Sequence, residues 1–160
     1  ATFLLRVCLL TSSGWHQYQS NCYKLRSHLR KSWVSARTDC LREGGDLVSI
    51  TSAEEEQYVL GRLDPSYLDI WIGHDMVTEG GYEWSDGSPV SHTNWGHGEP
   101  NDHGDREDCV ELMLWTSTKP CTSVIRNTPC LLRLPTKRSR PTLSAWYVWA
   151  HVCKYSHGQT

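Results

Sequence analysis

The chain has a single Phe, no Cys-x-x-Cys pair and no Asn-x-Ser/Thr acceptor. Without Cys-x-x-Cys, neither a zinc ribbon nor a thioredoxin-like redox site is expected. Without the acceptor, N-glycosylation is not expected. The most apolar stretch, Phe3 to Leu10, is broken by Arg6 and is far too short to span a bilayer. It is read as a signal-peptide remnant or an upstream linker, in a chain that does not begin with Met and is taken as a fragment or processed form. Charge of one sign is missing too. A net charge of -2 gives no reason to expect nucleic acid or an anionic membrane as partner. No Gly-x-Ser-x-Gly elbow, phosphate-binding glycine loop or His-Glu-x-x-His pair occurs, so an enzyme is not expected. There are no internal repeats.

What is present is compact and aromatic. The length of 160 residues suits one globular domain with a tail. Eight Trp and seven Tyr suit a loop-rich domain with wet surfaces, because such rings pair an apolar body with a polar edge. Seven dispersed cysteines (Cys8, Cys22, Cys40, Cys109, Cys121, Cys130, Cys153) suggest long-range disulfides in an oxidising compartment, with one thiol left over.

Local signals predict an α+β pattern. Trp15 to Leu25 alternates aromatic and polar residues and reads as a strand pair. Ser32 to Arg42 reads as a helix, with Trp33, Ala36 and Cys40 at helical spacing and Gly44-Gly45 as its stop. Asp46 to Ile50 is a short strand. Ser52 and Glu55 form a capping box that opens a second helix to about Arg62. Asp69 to Gly73 and Cys109 to Leu114 read as strands. Between them, His74 to Arg106 is rich in Gly, Pro, Asp, Asn and Ser and reads as one long functional loop. Within it, Glu99, Asn101, Asp102, Asp105, Glu107 and Asp108 crowd oxygen-bearing side chains around Pro100. A hard cation such as Ca²⁺ takes six to eight oxygen ligands. Without one, these charges would repel.

In order along the chain come Asn21-Cys22-Tyr23-Lys24, then Trp33, Ala36 and Cys40, then Gly44-Gly45-Asp46-Leu47-Val48-Ser49-Ile50. Trp71-Ile72-Gly73, Glu83-Trp84-Ser85-Asp86-Gly87-Ser88-Pro89-Val90, Asn94-Trp95, Glu99-Pro100-Asn101 and Glu107-Asp108-Cys109 follow. This ordered set, from Trp15 to Leu114, resembles the C-type lectin domain. It is most similar to domains of the macrophage mannose receptor family. The resemblance implies a disulfide-stabilised α+β double-loop fold, with two helices, small antiparallel sheets and a long calcium-binding loop. Trp71 and Trp95 would be core anchors.

The resemblance also implies Ca²⁺ as cofactor, at two sites. Glu99, Asn101 and Glu107 match ligands of the calcium that coordinates sugar, in the Glu-Pro-Asn form that prefers mannose-like hydroxyls. Each carboxylate would accept from a sugar hydroxyl and the amide would donate. The family completes this site with an Asn-Asp pair before the next-to-last cysteine, and that pair is absent here. Before Cys121 the chain offers Thr116 and Ser117; before Cys130 it offers Arg126 and Asn127. Either register removes ligand charge, so a degraded sugar-site calcium is expected. Asp75, Glu79, Asp102 and Asp108, with the backbone carbonyl of Glu107, match the accessory calcium site.

Two parses of the C-terminal part follow from the resemblance. In the first, preferred on spacing, the domain runs over 14–130, with 1–13 an upstream linker and 131–160 a basic tail or insertion. Cys8 then pairs with Cys22, Cys40 with Cys130 and Cys109 with Cys121. In the second the domain extends to 154, His151-Val152-Cys153-Lys154 is the closing strand, Cys40 pairs with Cys153, and Cys109 pairs with Cys121 or Cys130. The implied role is extracellular, in a secreted protein or a receptor ectodomain. It would recognise glycans of mannose, fucose or N-acetylglucosamine type, free or on glycoproteins. The alternative is a lectin-like domain that binds protein, with calcium only structural.

Overall fold

Two serines open the two helices. In α1 (Trp33–Arg42), the Ser32 side chain accepts from Ser35 N at 3.3 Å, satisfying one of the orphan donors of the first turn. The buried face carries Trp33, Ala36 and Cys40. The carbonyl of Cys40 then takes both Glu43 N and Gly45 N at 3.1 Å, while Gly44 turns the chain at φ +84. Gly45 has no room for a side chain, since a Cβ there would stand 2.6 Å from the Lys154 carbonyl oxygen. In α2 (Ala53–Leu60), Ser52 accepts from Glu55 N at 3.1 Å. Glu55 completes only half of the expected box. Its Oε2 accepts from Thr51 N and Thr51 Oγ1, both at 2.9 Å, and Oε1 lies 2.6 Å from both Tyr23 Oη and Lys154 Nζ. The helix ends at Leu60, two residues short of the expected Arg62.

In this computed structural model the described residues are 8, 14–27, 31–63, 69–78, 81–101, 107–115, 122–128 and 150–156. Of 75–78, 114–115 and 122–128, the backbone alone is described. The strands are β1 (His16–Tyr18), β2 (Asn21–Arg26), β3 (Asp46–Leu47), β4 (Asp69–Thr78), β5 (Gly81–Trp84), β6 (Cys109–Trp115), β7 (Thr122–Thr128) and β8 (Ala150–Ser156). They order as β1-β2-β8-β4-β6-β7, with β3 joined to β8 and β5 to β4. Every ladder is antiparallel except β4 with β8.

Two corrections come from the sheet. The strand expected over Asp69 to Gly73 runs on to Thr78 and turns back as β5, pairing His74 with Trp84 and Met76 with Tyr82. The long loop therefore starts after Trp84, not at His74. The rings of Tyr82 and Trp84 pack on His74 and make this Gly- and Glu-rich stretch a hairpin.

The second correction concerns the preferred cysteine pairing. Cys40 bonds Cys153, not Cys130, with Cα atoms 5.2 Å apart. β8 is a central strand, paired along its length with β2 from Asn21↔Ser156 to Arg26↔His151, and on its other side with β4. A unit closed at Cys130 would lose that strand. Closing a loop of 113 residues contributes about 5 kcal/mol in the chain-entropy account. Cys8 bonds Cys22.

The core has two parts. One gathers Val48, Ile50, Val59, Ile70, Ile72, Val110, Leu112 and Val152 between α2 and the sheet. The other surrounds the Cys40–Cys153 bond with Trp15, Trp33, Leu47 and Trp71. Two of the buried indoles are satisfied at 2.8 Å: Trp33 donates to Ile72 O and Trp71 to Lys31 O.

Candidate functional site

The segment after Trp84 is stapled down before it reaches its acidic tip. Ser49 Oγ donates to Asp86 Oδ2 at 2.6 Å, and Asp86 Oδ1 takes Ser88 N at 2.9 Å. Ser91 Oγ reaches Thr51 O at 2.8 Å. Glu56, buried on α2, holds His92 Nε2 at 2.6 Å and Asn94 Nδ2 at 2.8 Å. A buried carboxylate needs such partners, since an unpaired one costs several kcal/mol. Glu56 was missed in the sequence, where it reads as one more exposed helical glutamate beside Glu54.

Trp95 then anchors the loop on an aromatic stack. His74 lies 4.2 Å from the Trp84 ring at 21°, and 5.5 Å from Trp95 at 23°. Tyr82 packs on Trp95 at 5.1 Å, and its hydroxyl donates to the Glu107 carbonyl at 3.3 Å. His74 is 1% exposed, and burial pushes its pKa down to about 4, so its ring is a neutral packing element at neutral pH. Tyr82 thus links the aromatic base to Glu107, a second positioning contact with no sequence signature.

At the tip, Glu99 N donates to Gly96 O at 2.9 Å, and the Glu99–Pro100 peptide bond is cis. Asn101 Nδ2 donates to Glu99 Oε1 at 2.9 Å. The second carboxylate oxygen, Glu99 Oε2, is buried and has no partner among the described residues. A carboxylate oxygen so placed lacks a cation or a donor. The donor set fits a hard cation, being oxygen from carboxylate and amide.

Of the other expected ligands, Glu107 is half-buried and Asp108 exposed. Asp75 pairs across the β4–β6 ladder with Cys109, the neighbour of Asp108. Glu79 and Asp102 lie outside the described residues, as do Cys121 and Cys130. Cys109 is buried and disulfide-bonded. Thr128, two residues before Cys130, stands opposite it. Thr122, next to Cys121, stands opposite Trp115 at the other end of the ladder. The strand beside β6 carries Arg126 opposite Glu111 and Asn127 opposite Val110.

Comparison with known proteins gives a consistent picture. The Lectin C-type domain model matches residues 29–131. The human C-type mannose receptor 2 is 41% identical over 101 residues, a stretch that covers 62% of this chain and 7% of the receptor. This chain therefore corresponds to a small part of that relative's length. Among solved structures, the cow C-type carbohydrate-recognition domain of CD23, determined in the presence of GlcNAc2Man3 oligosaccharide, aligns with TM-score 0.70 at 27% identity. That alignment covers 92% of this chain and 96% of that one. The C-type lectin domain of murine dendritic cell inhibitory receptor 2, in complex with N-glycan, aligns with TM-score 0.68 at 25% identity, covering 90% and 97%.

Proposed function

Since the chain belongs to the C-type lectin domain family, we propose that it is an extracellular calcium-dependent carbohydrate-recognition module of mannose type, with a weakened sugar-site calcium. One observation carries the proposal: Glu99 Oε2 is buried without a partner among the described residues, while Oε1 is held by Asn101. Glu99, Asn101 and Glu107 would hold the ion, which when bound supplies a Lewis-acid seat for two neighbouring sugar hydroxyls. The rest falls to the side chains. Glu99 would accept from a sugar hydroxyl and Asn101 would donate to a hydroxyl oxygen, on a segment anchored through Trp95 to His74 and Tyr82. A second ion would be held by Asp75, Glu79, Asp102 and Asp108 with the Glu107 carbonyl, tying the two ends of the loop region together.

The β6–β7 register supports the weakening. Cys109 and Trp115 are six residues apart in an extended strand, about 20 Å, so Thr116 and Ser117 follow the far end of β6 from Glu107. Arg126 and Asn127 stand opposite Glu111 and Val110, near the Cys109 end of β6, and an arginine and an amide in place of an Asn-Asp pair would supply less ligand charge. The same observation favours a second reading, a lectin-like domain that binds protein and keeps calcium only as a structural ion.

Calorimetric titration of calcium, with and without mannose, separates the two. Two calcium equivalents, the second tightened by mannose, support the sugar module. One equivalent that ignores sugar supports the protein-binding domain. Single sugars bind such shallow sites near millimolar, about -4 kcal/mol, so the sugar arm requires millimolar mannose. Glu99→Gln with Asn101→Asp should move preference from mannose towards galactose; an unmoved preference places the sugar elsewhere.

A further inference from the structure

The first turn of α2 carries two buried glutamates that face different parts of the molecule. Glu55 is committed to Thr51, Tyr23 and Lys154. Glu56, 3% exposed, is turned to the long loop, with His92 Nε2 2.6 Å from Oε2 and Asn94 Nδ2 2.8 Å from Oε1. Each oxygen thus holds a different loop side chain. Ser91 Oγ, on the Thr51 carbonyl, lays the same stretch beside the start of the helix. Trp95 follows directly and packs on His74 and Tyr82, and the Gly96 carbonyl then takes Glu99 N at 2.9 Å. Asn94 therefore stands five residues before Glu99, with a packed indole and one turn between them. None of these contacts uses a side-chain oxygen of Glu99, Asn101 or Glu107, so all of them can form ahead of an ion.

We propose that Glu56 is a positioning residue of the calcium loop: it fixes residues 92–95 before the ion arrives and so sets calcium affinity. The inference rests on the reading of Glu99, Asn101 and Glu107 as calcium ligands. A loop whose binding-competent arrangement is only fractionally populated loses affinity by that fraction. A buried carboxylate that holds a donor on each oxygen keeps the fraction high, because release of the loop leaves its oxygens short of donors away from water. Glu56 touches neither ion nor sugar; it acts through Asn94, His92 and the indole that follows them.

Asn94→Asp sets a second carboxylate against Glu56, and like charges at that distance repel. Glu56→Gln added to it exchanges the roles: the new amide donates to the new carboxylate, and its oxygen still accepts from His92. Two measurements are made on the oxidised protein. In excess chelator, the amide heteronuclear NOEs of residues 92–96, which report ps–ns motion, should match those of α1 in wild type and fall in Asn94→Asp. By calorimetry, Asn94→Asp should bind calcium about tenfold more weakly, as a tenfold smaller competent fraction requires. The double variant should restore both, which a general loss of stability would not allow. His92→Ala, which removes a donor and adds no charge, should move both readouts in the direction of Asn94→Asp. Unmoved NOEs in either single variant overturn the proposal, as does a double variant that restores neither readout. Unchanged calcium affinity in a variant whose NOEs fall overturns it too. A wild type that takes up no calcium overturns the proposed function and this inference together. Calcium uptake by wild type with unmoved variants overturns this inference alone.

Discussion

At neutral pH His151 is an uncharged ring sealed between α1 and β8, and acid should turn that burial into a liability. It is 0% exposed, and neither ring nitrogen has a hydrogen-bond partner among the described residues. Burial is the main cause that drives its pKa from 6.5 down to about 4. Asp39, whose Oδ2 lies 3.9 Å from Nε2, pulls the other way, while Lys31 and Arg26 add to the depression. The Asp39 carboxylate is already engaged by Lys31. Burial opposes its ionisation, but the hydrogen bond and charge of Lys31, then His151 and Arg26, outweigh that and hold its carboxyl below the usual value. The unfolded chain takes up a proton on His151 near pH 6.5 and the folded chain only near 4, so stability falls as pH falls through that window. The loss is about 2 kcal/mol by pH 5 and about 3 kcal/mol by pH 4. Urea unfolding of the oxidised protein at pH 7.5, 5 and 4 should show at least that loss, since His74 adds its own. His151→Leu, whatever its stability at pH 7.5, should lose about 3 kcal/mol less between pH 7.5 and 4. His74, also pushed down to about 4, acts equally in both proteins and cancels. Parallel loss in wild type and variant would refute the assignment of a buried, neutral His151.

Non-reducing peptide mapping should recover Cys109 joined to Cys130 and leave Cys121 as the free thiol. Thr122 stands about 20 Å along the ladder from Cys109, beyond the reach of about 7 Å for a disulfide, and a Cys109–Cys121 peptide would contradict the β6–β7 register. Arg126→Asn with Asn127→Asp should raise calcium affinity about tenfold or more by calorimetry, from one removed positive charge and one added carboxylate. Thr116→Asn with Ser117→Asp should leave it unchanged, and the reverse ranking would sink the placement of β7. Asp75→Asn with Asp108→Asn should make the 85–108 region more susceptible to protease in calcium; equal cleavage of wild type and variant would count against the accessory ion.

Residues close in sequence settled much by themselves. Ser32 and Ser52 opened both helices, and Gly44-Gly45 closed the first, because caps and a left-handed turn satisfy backbone groups within a few residues. The α+β class and the lectin resemblance came from the same local order of motifs. The contact of Asn101 with Glu99 is equally local, since that bond spans only two residues. Proximity between distant segments needed the tertiary structure. Cys40 had two eligible partners in the sequence, and the insertion of β8 between β2 and β4 chose Cys153. The β5 hairpin was hidden among Gly and Glu residues until the His74 ring gave Trp84 and Tyr82 something to pack on. Glu56 looked like any helical glutamate until the loop laid His92 and Asn94 against it. Chain entropy makes such long-range pairings depend on the whole sheet, so no short window of sequence encodes them.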